Sequence, residues 1–138
     1  MVSRSLRSQI DRMLSEVVEA PDINGLLDTT KLRAEMVRAW QMFLAEHTLL
    51  LCPVSAELPF PDLLDVQSDD AFRRCYEAQL LQIGLPFMGL PGLTVSTGMV
   101  GDAPVGVQLI GGRYREDVML DAGAIIETAG TPPMPVDP

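Results

Sequence analysis

The side chains that could act as nucleophiles, bases or metal ligands are few in this sequence of 138 residues. It contains one lysine, Lys31, one histidine, His47, and two cysteines, Cys52 and Cys75. A structural zinc site requires four cysteine or histidine ligands, so these residues are too few to form one. The cysteines are more readily explained as small buried residues than as a disulfide, which fits a reducing compartment. We therefore expect no metal centre and a cytoplasmic location.

Ser55 directly follows a run of apolar residues, 48–54, that predicts a strand buried on both faces. Catalytic groups often stand at such a position in α/β sheets. A nucleophilic serine also needs a base within hydrogen-bond reach, and no motif links Ser55 to Lys31 or His47. We therefore interpret the Ser55 hydroxyl as a turn or capping group.

Composition and charge exclude two further classes of protein. Nineteen acidic residues against ten basic ones give a net charge of −9, whereas a nucleic-acid surface needs clustered lysine and arginine. No apolar run approaches the roughly 20 residues that span a membrane. Apolar residues make up 47% of the chain, which is enough for a buried core. We therefore expect partners that are neither nucleic acids nor membranes.

Apolar spacing predicts helices and strands that together indicate an α/β fold, with 1–138 as one domain. The four predicted helices are 4–20, a second that begins after a cap at Asp28, Thr29 or Thr30, a third from Ser68 that ends at Gly84, and a fourth over 116–129. The three predicted strands are 48–54, 93–97 and 105–110, with Gly98 and Gly101 at the turn between the last two.

Three segments lie outside these elements or at their ends. Residues 1–28 are predicted as an N-terminal helix and a loop, because Asn24 and Gly25 indicate a turn within 22–27. The connection 55–67 is long, and long ordered loops are often functional. The tail 131–138 is half proline and cannot be helical.

The order of motifs between residues 84 and 128 resembles the C-terminal end of amidase-signature enzymes. Residues 85–98 read LPFMGLPGLTVSTG, residues 103–111 read APVGVQLIG, and an arginine/acid pair and a closing helix follow. Upstream, 49–54 is similar to a family strand that ends in proline, and 33–43 is similar to the helix before it. The resemblance covers about residues 30–130. It departs at Ser96 and Thr97, where many members have proline.

The resemblance implies a partial amidase-signature fold, in which helices flank a mixed β-sheet. It also implies hydrolysis of carboxamide bonds through an acyl-enzyme, with a serine nucleophile, a second serine in a cis peptide, a lysine base and no cofactor. These catalytic residues belong to the family's N-terminal portion. The seven serines here include no adjacent pair, so no catalytic residue can be transferred to this chain. The resemblance implies only that Pro53, Val54 and Ser55 line the edge of the acyl pocket.

These observations leave three functional hypotheses open. The first is a C-terminal segment of an amidase that lacks the Ser-Ser-Lys residues and is inactive alone. The second is a sheet-completing subunit of a split amidase, and the third is a non-catalytic acidic interaction module. The expected partner is the N-terminal amidase portion, or a second copy that covers the open edge of the sheet.

Overall fold

The computed structural model describes residues 4–15 and 22–130 of the chain. The helices are α1 (Arg4–Ser15), α2 (Ile23–His47), α3 (Asp69–Ala78), α4 (Leu80–Met88) and α5 (Glu116–Ala129), with a short 3₁₀ turn at Leu64–Val66. The strands are β1 (Leu49–Pro53), β2 (Gly92–Val100) and β3 (Ala103–Gly111). The predicted continuation of the first helix over 16–20 and the predicted tail 131–138 lie outside the described residues. None of the helices within the described ranges is long and apolar enough to cross a membrane.

The three strands form one antiparallel sheet in the order β1-β3-β2, so the last strand in sequence lies at the centre. Alternate side chains of β3 point to opposite faces. Ile110 is fully buried against α2 and α4 on one face, called here the α2 face. Leu109 packs with Met119 of α5 on the other, the α5 face. The predicted α/β class with flanking helices is confirmed.

The prediction that 48–54 is a strand buried on both faces was wrong. Among the strands that the structure describes, β1 lies at the edge of the sheet and pairs only with β3. Leu50 and Cys52 pack on the α2 face, but Leu51 on the α5 face is 58% exposed. The reason is that α5 packs mainly on β2 and β3. Only Leu49, at the start of β1, packs against the Leu109–Met119 cluster, and Leu51 lies beyond that cover. The strand buried on both faces is β3.

The predicted loop over 22–27 was also wrong, because α2 already begins at Ile23. The carboxylate of Asp22 accepts a hydrogen bond of 2.8 Å from the backbone N–H of Gly25 and caps the helix. This cap satisfies a free N–H of the first turn, so Asn24 and Gly25 are accommodated there. The helix therefore begins well before the earliest of the three predicted caps, Asp28.

The predicted third helix is two helices, α3 and α4, which meet at Gln79. Gly84 lies inside α4, and the helix ends instead at Gly89, whose φ of 65° is left-handed. Two arginines hold this end. Arg33 donates to the carbonyl of Phe87 over 2.6 Å, and Arg113 donates to the carbonyls of Met88 and Gly89.

The hairpin of β2 and β3 is longer than its two predicted strands, because both strands continue to the turn. Gly101 lies in that turn, as predicted, with φ 61°. Gly98 was wrongly placed there, since it lies inside β2 at a β-bulge between Ser96 and Gly98. The bulge keeps Ser96 opposite Gly106 while the rest of the strand shifts register.

Candidate functional site

A cavity of about 680 Å³ opens on the α2 face of the sheet, beside the part that α2 and α4 cover. Three parts of the chain enclose it: residues 53–60, the junction of α3 and α4, and the sheet where the middle of β2 lies beside the start of β3. The three residues predicted for the edge of a substrate pocket, Pro53, Val54 and Ser55, lie together along one wall. That they contact a substrate stays a prediction.

The floor of this pocket consists of two hydroxyl side chains and bare backbone. Thr94 and Ser96 lie two residues apart on β2 and line the pocket, and Ser96 pairs with Gly106 of β3. A Cβ atom on Gly106 would stand 2.5 Å from the carbonyl oxygen of Val95, so only glycine fits there. The missing side chain leaves both hydroxyls open to the pocket.

The wall over residues 53–57 is anchored to the α3–α4 junction by hydrogen bonds. The amide nitrogen of Gln82 donates to the carbonyl of Val54 over 3.1 Å. The backbone N–H of Ala56 and the hydroxyl of Ser55 both donate to the carbonyl of Ala78, over 2.9 and 3.3 Å. The Ser55 hydroxyl also accepts from the N–H of Glu57. It therefore acts as the turn group that the sequence indicated.

Glu57 is the charged residue of this pocket, and its carboxylate is paired. The Nε atom of Arg74 donates to both carboxylate oxygens of Glu57 over 3.0 Å. This hydrogen bond, more than the Coulomb attraction, holds the pKa of Glu57 below its ordinary value. The guanidinium of Arg74 also lies 6.0 Å from the ring centre of Phe60, on the same wall.

Gln108 lies opposite Thr94 in the same sheet face and is 6% exposed. Its side-chain oxygen has no hydrogen-bond partner among the residues that the structure describes. The thiol of Cys52 donates to the Gln108 carbonyl over 3.6 Å, and burial raises the pKa of that thiol. A buried amide oxygen without a donor costs free energy, so this part of the core is polar and incompletely paired.

The other reactive side chains lie elsewhere. Lys31 is exposed on α2, and His47 ends that helix with its ring 4.5 Å from that of Phe43. Neither belongs to the pocket lining. Within 4–15 and 22–130 no three histidine, cysteine, aspartate or glutamate side chains are grouped so that they could hold a metal ion.

Sequence reasoning missed the pocket residues that come from distant parts of the chain. The 93–97 strand was predicted, and the alternation of side chains in a strand is the signal that could have placed Thr94 and Ser96 on one face. Their role became visible only with the register, which sets them across from Gly106 and beside the 53–60 wall. Gln79 and Gln82 had no comparable signal, because they were assigned to the interior of one helix.

The comparisons with known proteins agree with one another. The indoleacetamide hydrolase of Bradyrhizobium japonicum is 36% identical over 107 residues, which are 77% of this chain and 23% of that protein. The A subunit of the glutamyl-tRNA(Gln) amidotransferase of a Streptococcus pyogenes strain is 34% identical over 98 residues, which are 71% of this chain and 20% of that protein. A scan of protein-family models found no match.

A solved structure has the same fold. The A subunit of the glutamyl-tRNA(Gln) amidotransferase of Thermotoga maritima matches with a TM-score of 0.59 and 22% identity, over 77% of this chain and 23% of that one. The chain belongs to the amidase-signature family, in agreement with its C-terminal motifs. It spans about a quarter or less of the length of the relatives that it matches.

Proposed function

We propose that this chain is the C-terminal part of an amidase that hydrolyses carboxamide bonds, and that it supplies a pocket wall while other residues supply the chemistry. The observation that carries this proposal is the pocket at 53–60, which is lined by hydrogen-bonding side chains. The one hydroxyl on its 53–60 wall, that of Ser55, already hydrogen-bonds to the backbone. A serine nucleophile requires a base, and neither Lys31 nor His47 lines this pocket.

The bond class follows from the relatives. One group of them is named for the hydrolysis of indoleacetamide, which is a carboxamide. Others are named as the A subunit of an amidotransferase, and such a protein works beside other chains. Both names support a role for this chain within a larger catalytic unit, where Pro53, Val54 and Ser55 border the acyl group.

The test is hydrolysis by the purified chain of 138 residues. We expect no ammonia release from indole-3-acetamide or glutamine above the buffer rate, because the chain holds no adjacent serine pair and its lysine lies outside the pocket. Turnover by the chain alone that disappears in Ser55→Ala or Lys31→Met would overturn the proposal. The DNA directly upstream provides a second test, since a frame or neighbouring gene that encodes Gly-Gly-Ser-Ser is expected.

The proposed partner is the serine-bearing amidase portion, which would cover β1. No strand within residues 4–15 and 22–130 pairs with the outer edge of β1, and Leu51 exposes apolar surface beside it. We expect Leu51→Asp to prevent reconstitution of amide hydrolysis with that portion. The matched control is Leu120→Asp on α5, whose leucine is similarly exposed at 61%. Equal effects of the two substitutions would contradict this interface.

Without that portion we expect the chain to associate with itself through the same edge. Leu51 on β1 and several large apolar residues of α2 are exposed, and contiguous apolar surface favours association. Light scattering at tens of micromolar, together with binding of a hydrophobic dye, measures this. A monodisperse monomer that binds no dye would contradict self-association.

A further inference from the structure

We infer that the 53–60 pocket binds a flat, uncharged group that carries one hydrogen-bonding N–H or O–H, held by the hydroxyls of Thr94 and Ser96 and by Phe60. The inference rests on the proposed function, because it names the part of a substrate that lies away from the scissile amide. Thr94 and Ser96 then decide specificity, and neither takes part in the chemistry.

The two hydroxyls are available for a ligand. The hydroxyls of Thr94 and Ser96 line the pocket on exposed residues and make no side-chain hydrogen bond with the described residues. Being two residues apart on one strand, they stand about 6.6 Å from each other. The bare backbone of Gly106 lies beside them, so a ligand can approach the sheet closely. A hydroxyl both donates and accepts, which suits a neutral polar group.

The charges of the pocket disfavour an ionised ligand. Its charged lining residue is Glu57, and no lysine or arginine is among the described residues that line it to attract an anion. The Glu57 carboxylate is already held by Arg74 through both of its oxygens, so it offers little to a cation. The side-chain amide nitrogen of Gln82 already donates a hydrogen bond to the carbonyl of Val54. The remaining polar groups are neutral, and a neutral ligand loses least on leaving water.

The wall formed by residues 58–60, which faces the floor of the pocket, favours a ligand with a flat apolar ring. Leu58, Pro59 and Phe60 follow one another there. Arg74 lies against the Phe60 ring, and hydrogen bonds anchor the residues before it. A wall that is fixed before binding loses little entropy when the ligand arrives. Aromatic rings pack well on such surfaces, and the N–H or O–H then points to the floor.

The experiment titrates the isotope-labelled chain with indole, 1-methylindole and indole-3-carboxylate, observed by amide chemical shifts. Indole is expected to shift Thr94, Ser96 and Gly106. 1-Methylindole, which lacks the N–H, should bind at least about threefold more weakly, and the carboxylate should bind most weakly. The spectra also report directly whether each variant is folded.

The variants separate the hydroxyls from the wall. Thr94→Val and Ser96→Ala should weaken indole binding by about 3- to 10-fold and leave 1-methylindole unchanged. Phe60→Ala should weaken both ligands equally. Thr97→Val is the matched control, because Thr97 lies on the same strand outside the pocket and bonds to the Val105 carbonyl. It should change neither affinity.

Three results would overturn the inference: equal binding of indole and 1-methylindole, indole affinity that survives the double variant Thr94→Val/Ser96→Ala, or shifts confined to the apolar groove of Met13, Phe72 and Tyr76. These results leave the proposed function standing if the chain still restores hydrolysis to a serine-bearing portion. Conversely, indole binding as expected, without any restored hydrolysis, contradicts the proposed function alone.

Discussion

The hairpin side of the molecule and the β1 side are both built from apolar segments, but their apolar residues differ in burial. On the hairpin side, β2, β3 and α5 enclose Leu109 and Met119 almost completely. On the β1 side, Leu51 and the exposed leucines of α2 face outward. The hairpin unit therefore buries a core between the sheet and α5, with exposed apolar residues confined to the outer side of that helix and the turn end of β2, whereas β1 exposes Leu51 on the sheet itself, where a further element could cover it.

The largest effect should come from the centre of the sheet. Ile110→Ala empties a fully buried site between β3, α2 and α4, which should lower the free energy of unfolding by about 3 kcal/mol. Leu51→Ala on β1 removes the same kind of side chain from an exposed site and should cost less than about 1 kcal/mol in the chain alone. Urea denaturation measures both. Equal losses would mean that the outer face of β1 is as well buried as the centre of the sheet.

A close backbone contact should give the next largest effect. In Gly106→Ala the new methyl group would collide with the Val95 carbonyl, so β2 and β3 must separate at a loss of about 2 kcal/mol. The control is Gly84→Ala inside α4, where the nearest atom is the Met88 methyl at 4.0 Å. There alanine should stabilise by about 0.5–1 kcal/mol through its helix propensity. A neutral Gly106→Ala would contradict the register of the hairpin.

How much could be foreseen from sequence also differs between the two sides. The fourth predicted helix, 116–129, has the observed bounds of α5, and the hairpin strands were found, because alternation and helical spacing are local signals. The surroundings of β1 were not foreseen. The apolar run in its sequence indicates that the strand favours burial. Whether it is buried depends on its position in the sheet, which is set by its pairing with β3, a strand distant in sequence.

The pocket shows the same limit. Pro53, Val54 and Ser55 were singled out from a resemblance and from their position after a strand, and the structure places them on one wall. The floor residues Thr94 and Ser96 were recognised only as strand residues. Nothing local indicates that two hydroxyls will share a pocket with Gln79 and Gln82, because that depends on where α3 ends and α4 begins.

Gln108 extends the comparison, since it is a buried polar group beside the apolar core of the α2 face. Because its side-chain oxygen has no partner among the described residues, Gln108→Met should leave the free energy of unfolding of the chain within about 1 kcal/mol or raise it. Thermal unfolding followed by circular dichroism measures this. A loss above about 2 kcal/mol would show that the amide is satisfied, and that the site is as complete as the hairpin core.

The smallest effect should be seen at Glu57, on the incomplete side of the molecule. Arg74 lowers the pKa of Glu57 in the folded chain. The ion pair therefore contributes its full stabilisation of the 53–60 wall at pH values above the pKa of Glu57 in the unfolded chain. This stabilisation is lost as the pH falls through the pKa of Glu57 in the folded chain. Arg74→Gln should return the Glu57 midpoint towards its ordinary value, as read from carboxyl carbon shifts. Because Glu57 and Arg74 are both accessible to solvent, the change in global stability should be small.

The matched control for this pair is Arg73→Gln, the neighbouring arginine, which bridges Asp70 and should leave the Glu57 midpoint in place. Both arginines lie on the same helix and carry the same charge, so the two variants differ in which carboxylate loses its partner. If the titration midpoint of Glu57 were unchanged in Arg74→Gln, the ion pair would not hold this wall, and the pocket would be no better fixed than the edge of β1.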